Sequence, residues 1–290
     1  MHKFLRAIGF SNLKKKDLEI IIEEIIEKPD LIKMTRDSEG NEFAELSKMI
    51  ANDIGITIRG SYDENDTFFM DYYFPFSYAD EISTDEQIDI EKHAEKESYA
   101  GVCDEMRLGV TLIFYLQNVA DFLSEHRHNI HVKGLHGAFL SGLSVDGKII
   151  LPIKQKVLEK KAANHKQQKR NQLIAEAREG NEQAIESLTL EDMDTYNSIS
   201  RRIHNEDVFS IVNSSFMPYG IESDQYCVLG EILEVEEFLN CYTNEKLYKM
   251  KIECNDITFY ITINEEDLLG EPAVGRRFKG SIWMQGSVCL

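Results

Sequence analysis

None of the five cysteines (Cys103, Cys227, Cys241, Cys254 and Cys289) forms a C-x-x-C pair, and their odd number fits no closed disulfide framework. A zinc knuckle is excluded on the same ground. The longest apolar run, residues 108–116, is far too short to cross a bilayer as a helix. The N-terminal stretch Met1-His-Lys-Phe-Leu-Arg-Ala-Ile-Gly-Phe10 lacks the long apolar core and small-residue cleavage pattern of a signal peptide. A cytoplasmic location is therefore expected. Positive charge is also scarce: 32 Lys and Arg stand against 51 Asp and Glu, leaving a formal net charge of −19. A field of that sign opposes polyanions and anionic membranes, except where a local basic patch overrides it at close range. Internal repeats and low-complexity tracts are lacking.

What the chain has is size, and a 42% share of hydrophobic residues over 290 positions. That length allows two domains, each with its own core. Its clearest pattern lies near the C-terminus, where Tyr248, Met250, Ile252 and Cys254 alternate with Lys249, Lys251 and Glu253, and Ile257, Phe259, Ile261 and Ile263 resume the alternation after Asn255-Asp256. This predicts a hairpin with a two-residue turn that sets Lys251 opposite Tyr260, with Cys254 packed as a small hydrophobe. A further strand follows in Gly275-Arg-Arg-Phe-Lys-Gly-Ser-Ile-Trp283.

Nearer the N-terminus, residues 4–10 read as a strand, and Ser11 as a helix start before Leu18, Ile21, Ile22, Ile25 and Ile26. Residues 54–59 and 67–74 read as a hairpin, and 80–97 as acidic and partly helical. The nearly continuous apolar run 110–116 predicts a strand covered on both faces. Residues 138–143 and 148–153 read as another hairpin turning on Asp146-Gly147. Residues 154–170 then hold seven Lys or Arg and one Glu without Gly or Pro, which predicts a solvated linker helix. Thr189 reads as the cap of a further helix running toward Arg202.

The expected architecture is α+β. An N-terminal largely antiparallel sheet with packed helices spans 1–153, a helical connector 154–206, and a small antiparallel β-barrel, OB-like or SH3-like, 207–290. Net charge is −12 over residues 1–153, −2 over 154–225 and −5 over the remainder.

Four histidines, His126, His128, His131 and His136, invite a metal reading, but their spacing matches no fixed ligand motif, so hydrogen-bonded surface histidines are expected and no cofactor is assigned. Cys103 lies beside Asp104 and Glu105, which raise a thiol pKa and oppose nucleophilic use. The stretch Gly270-Glu-Pro-Ala-Val-Gly275 lacks the Lys-Ser/Thr of a phosphate loop and reads as turn chemistry. Gly134, Gly137 and Gly142, within an apparent strand, read as a bulge or a close backbone approach rather than a phosphate cradle. No acid/base or nucleophile set converges, and no catalytic residue is assigned.

One face has the right chemistry for binding. Alternation places Lys249, Lys251, Tyr260, Arg277, Lys279 and Trp283 opposite the barrel core, and cations with flat rings suit single-stranded nucleic acid. The −5 charge of residues 226–290 opposes that partner. Packing of Tyr260 and Trp283 against the other domain or a protein partner is the expected alternative. The leading expectation is a non-enzymatic binding or adaptor protein. Nucleic-acid or nucleotide binding on the barrel face, and an enzyme with an interdomain site, stand behind it.

Several blocks also carry a resemblance: Met1 through Ser11, Leu188-Thr-Leu-Glu-Asp192 with Tyr196 and Ser200-Arg-Arg202, Phe216-Met-Pro-Tyr-Gly220, and Asp267-Leu-Leu-Gly-Glu-Pro272 through Trp283. The chain resembles, over essentially its whole length, a family of proteins of unknown function from anaerobic Gram-positive bacteria. The resemblance implies a bacterial, stand-alone protein and assigns no activity, substrate or catalytic residue.

Overall fold

The structure, a computed structural model, describes residues 1–92, 97–126, 132–153, 169–170, 172–177, 180–203 and 208–290. The chain is mostly β with few helices, an α+β arrangement. The basic stretch expected as a linker helix lies, at 154–168, outside the described residues.

Four strands, β1 (Leu31–Arg36), β2 (Glu42–Ala51), β3 (Ile54–Tyr62) and β4 (Phe68–Ser77), form an antiparallel meander. Helix α1 (Lys15–Glu27) buries Leu18, Ile21 and Ile25, one helical stripe, in the core that holds Leu46, Ile50, Ile54, Ile56 and Ile58 of β2 and β3. It stops before Pro29, as the sequence predicts. A sheet edge leaves backbone groups unpaired. On β4 that edge is covered by side chains of the other sheet: Gln285 Nε2 donates to Pro75 O at 2.8 Å, while Gln117 Nε2 and Ser141 Oγ donate to Ser77 O at 3.0 and 2.5 Å.

The larger sheet has ten strands: β5 (Thr84–Lys92), β6 (Tyr99–Cys103), β7 (Leu112–Leu116), β8 (Val132–Ile150), β9 (Ser215–Pro218), β10 (Gln225–Leu239), β11 (Lys246–Cys254), β12 (Ile257–Asn264), β13 (Leu268–Leu269) and β14 (Arg277–Val288). Its pairings return on themselves. From β10 the hydrogen-bonded neighbours run through β11, β12, β8 and β14 and back to β10, the β12–β8 step being parallel. A second circuit runs β8–β5–β6–β7–β14 and shares the β8–β14 pair. One hydrophobic cluster, from Ile88 and Phe114 to Ile261 and Met284, fills both. Helices α2 (Val119–Glu125), α3 (Glu182–Ile203) and α4 (Val208–Ile211) also belong to the described chain, and residues 172–177 are helical as well.

Several expectations are corrected. Residues 4–10 are not a strand: Lys3–Ile8 is a 3-10 helix closed by Gly9 at φ +88°, because Asn240 and Leu247 leave Gly9 no room for a Cβ and its carbonyl bonds Asn240 and Thr243. The stretch 80–97 holds a strand rather than a partial helix, since Ile88 and Ile90 alternate into the core. Asp146-Gly147 is no turn. β8 runs straight through it, with a bulge at Val145, and Gly147 is small because Phe278 and Ile263 crowd its Cβ position at 2.6 and 2.8 Å. Thr189 lies within α3, whose first turn is capped by Asn181 Oδ1. The Lys251–Tyr260 register is as predicted, with Asn255 and Asp256 both at positive φ.

The boundary expected at residue 153 falls between strands that hydrogen-bond to each other, since β8 precedes it while β12, β13 and β14 follow. A fragment of residues 207–290 lacks β8 and so loses the neighbour that closes the first circuit. We expect this fragment to give an unfolded circular dichroism spectrum and no cooperative melt while the full chain melts cooperatively; a sharply melting fragment would restore a separable module.

Candidate functional site

The six residues expected on one binding face are held in three separate places. Lys249 and Lys251 flank the Tyr260 ring, at 5.1 and 6.0 Å from its centroid, but both are tied to carboxylates. Lys251 Nζ pairs with Glu81 at 2.6 Å and Glu234 at 3.3 Å, and Lys249, whose side chain is 3% exposed, reaches Asp53 at 3.5 Å. The Tyr260 hydroxyl bonds Asp80, and burial together with that carboxylate raises its pKa. Arg277 spends its guanidinium on carbonyls, at 2.9 Å from Leu151, 2.8 Å from Val212 and 2.6 Å from Phe209, and so pins α4 to the sheet. Lys279 stacks over Phe209 at 4.3 Å. These cations clamp elements together.

Trp283 is 6% exposed and belongs to the core under α1. Its ring lies 5.3 Å from Phe4, 4.8 Å from His2 and 5.2 Å from Tyr115, and its Nε1 donates to Asp224 Oδ2 at 2.7 Å. Trp283 thus packs against His2, Phe4 and Tyr115, all residues of the 1–153 segment. The 3-10 segment delivers His2 and Phe4 to this strand because Gly9 reverses the chain behind it.

At this junction lies a cleft of about 580 Å³, lined by His2, Lys3, Phe4, Asp224, Gln225 and Trp283 and by the exposed loop 221–223. His2 is held neutral, its pKa lowered to about 4 by burial and by the nearby terminal amine. Its Nδ1 accepts from Phe4 N at 3.4 Å, so the single ring proton sits on Nε2 as a donor. The carboxylate of Asp224, oriented by Trp283, and that of Glu222, bonded by Gln225 Nε2, supply acceptors. Such a mixture of aromatic walls and a few fixed polar groups is the usual make-up of a small-molecule site, and the volume is in range.

Among the described residues no group of three or more His, Cys, Asp and Glu is placed to hold a metal ion. His126 stacks on Phe122 at 5.1 Å and His136 approaches Asp85 O at 3.2 Å; His128 and His131 lie outside the described residues. Burial and the carboxylates of Glu105, Glu86 and Asp104 push the Cys103 thiol up to about 12, against nucleophilic use. No described helix is long and apolar enough to cross a membrane.

Two features escaped the sequence. Arg59 is fully buried and uses all five N–H donors: Nε to Glu45 at 2.7 Å, Nη1 to the hydroxyls of Tyr72 and Tyr115 at 2.9 and 2.8 Å, and Nη2 to the carbonyls of Leu116 and Gln117 at 3.1 and 2.9 Å. Its only signal is an arginine inside the apolar strand 54–59. Asp224 carried none, standing in a polar loop far from His2 in sequence.

A mixed β architecture with an aromatic-lined cleft between an N-terminal turn and a loop defines a class by fold rather than by chemistry. Residues 5–286 match the family described as "Domain of unknown function, E. rectale Gene description (DUF3881)", and the chain belongs to that family. No curated protein and no solved structure matches it. The resemblance read from the sequence blocks is thereby borne out.

Proposed function

We propose that this chain is a non-enzymatic binding protein and that a small polar ligand occupies the cleft at Trp283. One observation carries the reading: the sole tryptophan fixes Asp224 by a hydrogen bond and forms, with neutral His2, a wall that offers one carboxylate acceptor and one imidazole donor. These groups are held by packing before any ligand arrives, which lowers the cost of binding. The circuit β10–β11–β12–β8–β14 is read as a small OB-like barrel, supported by its five strands. Its lysines and Arg277 already serve internal partners, which favours the cleft over a nucleic-acid face.

Because Trp283 is the only tryptophan, its emission reports the cleft without a label. Titration of the full chain with panels of amines, amino acids, sugars and nucleosides is expected to give a saturable emission change for one class. Asp224→Asn should weaken that binding about tenfold or more, the worth of a hydrogen bond to a charged group. Silence across the panels, or unchanged affinity in Asp224→Asn, would overturn the reading.

A further inference from the structure

A second cleft lies on the other side of the N-terminal turn, between the start of α1 and the bend joining β10 to β11. It encloses about 420 Å³, and Phe10, Leu13, Ile20, Ile21 and Tyr242 form its apolar walls. Polar groups sit at its rim, namely Asn12, Asp17, Thr243 and Glu245.

The walls are fixed by one buried residue. Asn240 Nδ2 donates to Ile8 O at 2.8 Å and Gly9 O at 3.2 Å, while its Oδ1 accepts from Tyr242 N at 2.8 Å and Thr243 N at 3.1 Å. The turn before Phe10 and the bend carrying Tyr242 therefore hold one relative position. Tyr242 is steadied further by its hydroxyl, which donates to Glu24 at 3.1 Å. The Glu245 carboxylate is likewise set in place, accepting from Ser11 N at 3.2 Å and from Asn264 Nδ2 at 2.5 Å. An ionised carboxylate has about four lone-pair sites, so acceptor capacity remains.

The lining residues include two carboxylates, Asp17 and Glu245, and no Lys, Arg or His. Ile20, on the same rim, is 62% exposed, an apolar side chain in water beside an apolar hollow. An apolar hollow under a negative rim favours a ligand with an apolar body and one positive end. We infer that this cleft binds a small amphipathic amine, its ring or alkyl body between Phe10, Ile21 and Tyr242 and its ammonium between Asp17 and Glu245. The inference is independent of the cleft at Trp283, with which it shares no lining residue.

Saturation-transfer NMR on the full chain tests it, with phenethylamine as probe and phenethyl alcohol and hydrocinnamate as neutral and anionic counterparts. Saturation transfer to the amine is expected, with affinity falling in the order amine, alcohol, carboxylate. Asp17 and Ile20 are exposed, so their substitution leaves the fold intact. Asp17→Asn should weaken amine binding by about fivefold, the upper range for a partly exposed ion pair. Ile20→Lys, which puts a like charge on the apolar wall, should weaken the amine further and cost it more than the alcohol. Equal affinities for the amine and the carboxylate, or amine binding untouched by both substitutions, would overturn the proposal. So would a lack of saturation transfer at millimolar probe.

Discussion

Arg59→Met is expected to destabilise the fold by about 3–5 kcal/mol, because it leaves Glu45 as a buried carboxylate without its cation. Arg59 is 0% exposed and stands in a cage of aromatic rings, 4.6 Å from the Phe74 centroid and 5.4 Å from that of Tyr115. Its carbonyl partners, Leu116 and Gln117, are the last residue of β7 and the one after it, whereas Glu45 and Tyr72 lie on β2 and β4. One side chain therefore bolts the small sheet to the large one. Burial opposes its charge, and the surrounding Tyr115, Glu45 and Tyr72 hold that charge in place. Burial likewise pushes Glu45 up, and Arg59 is the principal group opposing that rise.

A pH signature separates this account from a simple packing loss. Without Arg59, the folded-state pKa of Glu45 climbs further above its unfolded value, so the penalty is full above the folded pKa and fades as pH falls toward the unfolded one. Urea melts of wild type and Arg59→Met should thus differ most near neutrality and converge on acidification. Arg59→Met combined with Glu45→Leu should recover much of the loss, since an apolar pair replaces a buried ionic one. A gap that is constant or widens toward acid, or a double variant no better than the single, would remove Glu45 from the explanation.

How much of this was legible follows the distance between partners along the chain. The hairpin at Asn255-Asp256 was read to the residue, Lys251 facing Tyr260, because both strands and their turn lie in one short window. The β3–β4 hairpin is legible for the same reason, and the interior position of β7 from its nearly continuous apolar run. Asp146-Gly147 misled, since a strong turn dipeptide is also what a strand needs where Phe278 and Ile263 leave no room for a side chain. Local propensity yields there to packing that comes from more than a hundred positions away. The parallel β12–β8 and β14–β7 pairings, which tie the two halves into one sheet, have no local signature at all. Alternation correctly put Arg277, Lys279 and Trp283 on the face of β14 away from the cluster holding Phe278, Ile282 and Met284. It could not show that this face is covered too, by α4 at one end and by Phe4 and Tyr115 at the other.

That covered face sets the outcome for Trp283→Ala. The substitution empties a site packed by Phe4, His2 and Tyr115 and leaves Asp224 without its indole donor, so a loss of about 3–5 kcal/mol is expected. For a chain of this size that corresponds to a drop in melting temperature of roughly 6–20 °C. Trp283→Phe keeps most of the ring contacts and gives up only the hydrogen bond, and should cost about 1–3 kcal/mol. Calorimetry on the three proteins orders them, wild type above Phe above Ala. Nucleic acid supplies the opposing case. Were Trp283 a stacking platform with Lys251 and Lys279 as phosphate contacts, Trp283→Ala would leave the melting temperature alone and weaken single-strand binding by about 1–3 kcal/mol per base. Because Trp283 is packed, Lys251 is paired with Glu81 and Lys279 lies on Phe209, the expected result is the thermal one, with no oligonucleotide binding to lose at physiological salt. Micromolar oligonucleotide binding abolished by Lys251→Ala with Lys279→Ala would reverse that assignment.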